Sequence, residues 1–248
     1  MAEPVKGHDE PVEGQAEPPA GRHAPDRGPD AGAGRSRSYN GSRRRAQAAE
    51  TRAEIVRCAR DLFLARGYGR TTIADVATAA RVSPETVYGA FRNKATLLQR
   101  AWDITVGGDD EAIVFHERPE VLAVRAEPDL STRLMLHAAL STRTAQRIAP
   151  FQLMVEAASG ADPAAADMLE EMGRQRLVGI SVMAAEAAAT GQLAVSEEEC
   201  RDVVWSMTDG VLWHRLVNQR GWTNERFADW LGRTWVHHLV APAPIRRR

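Results

Sequence analysis

The chain has 248 residues, 44% hydrophobic and 26% charged, with a formal net charge of −1. That length supports a buried core in one large domain or two modest ones. Two cysteines, Cys58 and Cys200, are too few for a disulfide framework and read as reduced thiols of a cytoplasmic protein. No apolar run approaches the roughly 18–20 residues of a membrane span, and the amino terminus lacks the hydrophobic region of a secretory signal.

The near-zero charge conceals an asymmetry. Residues 1–42 carry 5 basic and 7 acidic groups, residues 43–100 carry 12 and 5, and residues 101–248 carry 15 and 21. The segments therefore sum to −2, +7 and −6. A small basic segment attached to an acidic body points to one part that faces a polyanion. Charge alone does not say that the polyanion is DNA.

Residues 1–42 contain thirteen Pro or Gly and almost no large apolar side chains, so they read as a disordered tail. The tail ends in a basic stretch at 35–45. Arg43, Arg44 and Arg45 adjoin the first helix and are candidates for an arm that tracks phosphate or enters the minor groove. A solvated tail with no role is the plain alternative.

From about Arg44 the pattern turns helical, with Ile55, Ala59, Leu62 and Phe63 forming one apolar stripe. Gly67 closes this helix and Tyr68 supplies the hydrophobic contact of such an ending. A second, short helix starts at Thr72, whose hydroxyl caps it with Asp75 three residues on. After a turn of about three residues, Ser83 caps a third helix. Pro84 fits its first position and Glu85 favours its positive end. Val82, Val87 and Phe91 face inward, and Asn93 caps a fourth helix through Leu97, Leu98, Ala101 and Trp102.

Beyond Gly107-Gly108, helical patterns recur at about 130–157, 163–190, 197–218 and 224–239. The expected fold is all-α. A three-helix helix-turn-helix domain occupies 43–100, a larger helical domain 101–241 and a short tail 242–248.

Two short helices joined by a tight turn match a helix-turn-helix, whose second helix enters the major groove. Its exposed face carries Pro84, Glu85, Thr86, Tyr88, Gly89 and Ala90. Thr86 and Tyr88 offer hydroxyls and Lys94 a charge. A partly buried Tyr88 and a merely solvated Lys94 are the bland readings. Arg52, Arg57 and Arg60 read as a solvated face, and Ser83 chiefly as a cap.

The runs Thr71-Thr72-Ile73-Ala74-Asp75-Val76-Ala77, Val82-Ser83-Pro84-Glu85-Thr86-Val87-Tyr88 and Phe91-Arg92-Asn93-Lys94-Ala95-Thr96-Leu97-Leu98 resemble the amino-terminal domain of the TetR family of repressors. Ala59-Arg60-Asp61-Leu62-Phe63 and Arg66-Gly67-Tyr68 match as well, so the resemblance covers roughly residues 46–98. The DNA-contacting set is then Arg43, Arg44, Arg45, Thr71, Thr72, Ser83, Pro84, Glu85, Thr86, Tyr88, Gly89 and Lys94. In that family the position before the phenylalanine is often a histidine that holds the DNA backbone. Here it is Ala90, which shifts weight to Thr72, Thr86, Tyr88 and Lys94.

The resemblance implies double-stranded DNA as a partner, a homodimer, and a carboxyl-terminal domain that binds a small-molecule effector. It places the dimer interface on the last two helices, at Val204, Val211, Leu212, Phe227, Trp230, Leu231 and Trp235. Polar or aromatic residues that interrupt apolar helices are pocket candidates: His137, Arg147, Phe151, Arg176, Trp205, Asp209 and His214. Each is more often a structural group than a ligand contact.

The function so implied is a ligand-responsive repressor that the effector releases from a pseudo-palindromic operator. The alternative is a small-molecule-binding or interaction protein of the same fold without a specific operator. No nucleophile elbow, P-loop, dinucleotide turn or His-Glu-x-x-His site is present, so neither an enzyme nor a cofactor or metal site is expected. His237 and His238 are adjacent and lie on diverging helix faces.

Overall fold

A computed structural model describes residues 33–108 and 117–241, with side chains from residue 43 onward. The chain divides into two compact units, Met1–Arg44 and Arg45–Arg248. Of the first unit the described part is helical. Most of the expected amino-terminal tail and all of the tail at 242–248 lie outside the described residues.

Helix α1 (Ala33–Arg66) is followed by α2 (Ile73–Ala79), α3 (Pro84–Ala90) and α4 (Lys94–Gly107). Then come α5 (Pro119–Arg125), α6 (Leu130–Ser159), α7 (Pro163–Ala189), α8 (Glu197–Met207), α9 (Gly210–Trp213) and α10 (Asn224–Leu239). A π-helical turn, His214–Gln219, continues α9. Among the described residues the sole extended pairing is an isolated bridge between Leu193 and Val240. The all-α expectation holds.

Three departures from the sequence reading have physical causes. Helix α1 starts at Ala33, well before Arg44, because residues 33–43 carry no apolar stripe for periodicity to detect. Arg43, Arg44 and Arg45 thus lie within α1 and not ahead of it. Helix α5 was not expected, since seven residues are too few to show a period. The expected helix at 197–218 breaks at Thr208. A Cβ on Gly210 would stand 2.7 Å from the Ala149 Cα, and Asp209 recaps the chain there by accepting the Leu212 N–H at 3.0 Å. A long-range approach of α9 to α6 decides that break.

Two cores result, and α6 serves both. The first gathers Ile55, Phe63, Val76, Val87, Phe91 and Leu97 from α1–α4 with Phe151, Val155, Met168 and Met172 from α6 and α7. The second joins Leu130, Leu134, Ala149, Val204, Phe227 and Trp235 from α6, α8 and α10. Gly232 allows the close seam between α10 and α6: its Cβ would meet the Met135 Sδ at 2.5 Å.

Candidate nucleic-acid interface

Helices α2 and α3 are each seven residues long, too short to stand alone. Their ends are therefore fixed by side chains. Thr72 Oγ1 accepts the Asp75 N–H at 3.1 Å, and Asp75 Oδ2 accepts the Thr72 N–H at 2.8 Å. This reciprocal box satisfies two donors that a helix start would leave open. The Thr72 hydroxyl also donates to Asp75 Oδ2 at 2.7 Å. That bond, followed by the Thr72 backbone, holds the Asp75 carboxyl below its ordinary range.

Ser83 Oγ accepts the Thr86 N–H at 3.2 Å, and Asn93 Oδ1 accepts the Thr96 N–H at 2.8 Å. Between the helices Arg81 takes φ 55°, a left-handed conformation that costs a non-glycine residue about 1–2 kcal/mol. It lets Val82 N–H reach the Ala77 carbonyl at 3.0 Å. An arginine gives no sequence signal for such a turn.

Val87 is fully buried and Phe91 nearly so, whereas Tyr88 is 56% exposed. Thr72, Ser83, Pro84, Glu85, Thr86 and Gly89 share its open surface, with Ala90 half-buried behind them. The Tyr88 hydroxyl makes no hydrogen bond among the described residues, so it is available. A Cβ on Gly89 would meet nothing within 4 Å, leaving the helix face flat for close approach.

Two expected contacts sit elsewhere. Thr71 is 1% exposed, and its hydroxyl donates to the Gly67 carbonyl at 3.0 Å. It ties down the end of α1 and cannot touch a ligand at the surface. Lys94 folds back with Nζ 3.9 Å from the Tyr68 ring centroid. Burial lowers its pKa while the Asp162 carboxylate opposes the shift. Burial, with Asp162 second, pushes the Tyr68 hydroxyl up to about 12. Lys94 is thus anchored to the protein by a cation–π contact.

One residue read as solvated proves structural. Arg52 Nη2 donates to the Ala90 carbonyl at 2.9 Å, and its guanidinium lies 5.9 Å from the Phe91 ring centroid. It crosses from α1 to the carboxyl end of α3. Thirty-eight residues separate the two positions, so periodicity had no access to the contact.

The pocket candidates do not form one group. Arg176 lies over Trp205 at 4.8 Å; burial lowers its pKa, opposed by Asp209 and then Glu156. These three candidates share a neighbourhood, although Asp209 also caps α9. Phe151 belongs to the first core, 5.8 Å from the Trp102 ring. Arg147 donates to the Val106 carbonyl at 3.0 Å and braces the end of α4. His214 bonds Asn218 at 3.1 Å in the π-helical turn. His137 stands apart, 5.7 Å from the Trp235 ring.

The expected dimer residues divide too. Val204, Phe227, Leu231 and Trp235 are at most 1% exposed within a single chain, so a second copy has nothing left there to cover. Phe227, Leu231 and Trp235 from α10 and Val204 from α8 are all part of the second core of this chain. Val211, Leu212 and Trp230 remain part-exposed. Among the described residues no helix is long and apolar enough to cross a membrane, and no cluster of His, Cys, Asp and Glu is placed to hold a metal ion.

Residues 55–101 match the family model described as bacterial regulatory proteins, tetR family. The HTH-type transcriptional regulator TtgR of Pseudomonas putida is 44% identical over 61 residues, which are 25% of this chain and 29% of that protein. The probable HTH-type transcriptional regulator ArpR, also of Pseudomonas putida, matches to the same extent. The match therefore spans less than a third of either relative.

Solved structures extend the likeness of fold. A putative transcriptional regulator from Saccharomonospora viridis, solved with choline, aligns with TM-score 0.58 and 19% identity over 78% of this chain and 99% of that one. NalD, the secondary repressor of the MexAB-OprM multidrug efflux pump in Pseudomonas aeruginosa, aligns with TM-score 0.55 and 18% identity over 78% and 98%. The likeness to the tetR family of bacterial regulatory proteins is thus carried by residues 55–101, and the solved structures add a likeness of fold.

Proposed function

We propose that the chain is a ligand-responsive transcriptional repressor that binds a pseudo-palindromic operator as a homodimer and is released by a small-molecule effector. The open face of α3 carries this reading: Tyr88 is 56% exposed, flanked by Thr86 and Gly89, within the segment of net charge +7. The names of the relatives agree with it, since TtgR is a transcriptional regulator and NalD a repressor.

Arg43, Arg44 and Arg45 add sequence-independent attraction to phosphate, and Thr72, Ser83, Thr86 and Tyr88 fix register through hydroxyl contacts. Pro84, Glu85 and Gly89 pack against the groove. Two copies are needed because one half-site binds weakly, and the part-exposed Val211, Leu212 and Trp230 are surface on which they meet. Arg176, Trp205 and Asp209 are the pocket candidates that lie together. An effector in the body acts through α6 and α7, which run from the second core into the first beside α4. It then shifts the population between DNA-competent and incompetent forms.

A mobility-shift titration with DNA upstream of the gene and its neighbours tests the reading. Specific binding that survives competitor and weakens with salt is expected. Tyr88→Phe should weaken it up to about tenfold, the worth of one hydrogen bond, without loss of stability. A ligand that binds the body but leaves operator affinity unchanged would overturn the release mechanism. The flat Gly89-Ala90 face favours a second reading, a ligand-binding protein with no specific operator, for which binding would be weak and indifferent to sequence.

A further inference from the structure

Helix α4 leads out of the helix-turn-helix, and side chains of the body hold it along its length. Near its end Arg147 donates to the Val106 carbonyl at 3.0 Å. Midway, the Trp102 indole N–H donates to Gln175 Oε1 on α7 at 3.1 Å. At its start Lys94 Nζ lies 3.9 Å from the Tyr68 ring centroid. Tyr68 is 3% exposed, and Phe63 packs on it with ring centroids 5.4 Å apart, so the platform under the ammonium is fixed. Ala165 and Met168 from the first turns of α7 share the same core. Asp162 caps α7 by accepting the Ala164 N–H at 2.9 Å, and its carboxylate acts on both Lys94 and Tyr68.

Lys94 is the first residue of α4, at the helix end whose dipole repels a cation. A ring face and a carboxylate offset that repulsion. Reaching outward to a phosphate would give up both. We propose that Lys94 is a positioning residue, a clasp that fastens the start of α4 to Tyr68 and to the amino-terminal end of α7, and not a phosphate contact. The clasp sets the angle at which the helix-turn-helix leaves the body, and with it the placement of α3 on DNA. Its consequence for DNA rests on the operator-binding reading above. The clasp itself requires no DNA.

Two substitutions in the full chain test it. Lys94→Met keeps the stem and removes the charge. Asp162→Asn removes the opposing charge and keeps the cap, since asparagine caps as well as aspartate. Each should lower operator affinity a few-fold in a mobility-shift titration. For Lys94→Met the slope of log affinity against log salt should equal that of the unaltered chain, whereas loss of a phosphate contact would flatten it by about 0.9. The sign for Asp162→Asn is decisive: on charge alone, losing an acid favours DNA, so a fall marks positioning. In denaturant unfolding without DNA, the two substitutions should be non-additive by about two- to fivefold in the unfolding constant. A flattened slope, operator binding by Asp162→Asn as tight as or tighter than that of the unaltered chain, or strict additivity would overturn the proposal. Should Lys94→Met fail to fold, the sign for Asp162→Asn decides alone. If the unaltered chain binds no operator, the functional reading fails, and the unfolding cycle still decides whether the clasp exists.

Discussion

The helix-turn-helix and the body built on α6 treat their polar side chains in opposite ways. Around α2 and α3 the capping hydroxyls are exposed and tied to a neighbour three residues away: Thr72 with Asp75 and Ser83 with Thr86. In the body distant parts of the chain bring polar groups together, as with the part-buried His137 and the buried Trp235. The first region is governed by local rules of helix ends. The second is governed by packing, and its chemistry emerges only once the helices have docked.

The sharpest way to break this contrast is at the core the two regions share. Phe151 is fully buried in the cluster that also holds Phe63, Val87 and Leu97. Phe151→Ala should cost about 3–5 kcal/mol and lower a single cooperative unfolding transition. Separate melting of the helix-turn-helix and the body in a denaturant titration would show that the regions are independent.

Acid tests the buried side of the comparison. His137 is held at about 4 in the folded chain against an ordinary 6.5. Between those values the unfolded chain binds the extra proton, so stability is intact above about pH 6.5 and falls as pH drops toward about 4. The slope from this one group is at most about 1.4 kcal/mol per pH unit. His137→Leu should remove that component from a plot of unfolding free energy against pH. An unchanged slope would mean that the imidazole is hydrated in the folded state.

Gly210→Ala asks whether the body depends on close helix approach. Its Cβ would press on the Ala149 backbone at 2.7 Å, so a loss of about 1–3 kcal/mol is expected, read by the midpoint of denaturant unfolding. The same position shows what the sequence could carry. Caps at Thr72, Ser83 and Asn93 were legible because each is a few residues long, and the bounds of α10 followed from its apolar stripe. The break at Gly210 was not legible, since its cause, Ala149, lies on another helix. Thr71 was misjudged for a related reason: beside an exposed cap, the chain turns its hydroxyl inward to the Gly67 carbonyl. The pocket list mixed braces, caps and core residues because an interrupted apolar pattern does not say what a polar group meets.

Arg52 offers the finest test, because it is the one tertiary bond found on the recognition helix's own backbone among the described residues. Its guanidinium donates to the Ala90 carbonyl at 2.9 Å, at the helix end where the dipole is negative. The side chain is exposed, so Arg52→Ala should cost no more than about 1 kcal/mol of stability. Operator affinity should nonetheless fall a few-fold, because Tyr88 lies two residues before the released end. Arg52→Lys retains the charge without the planar fork and should recover only part of that loss. If Arg52→Ala binds operator as the unaltered chain does, local caps alone aim the recognition helix, and the contrast between the two regions becomes complete.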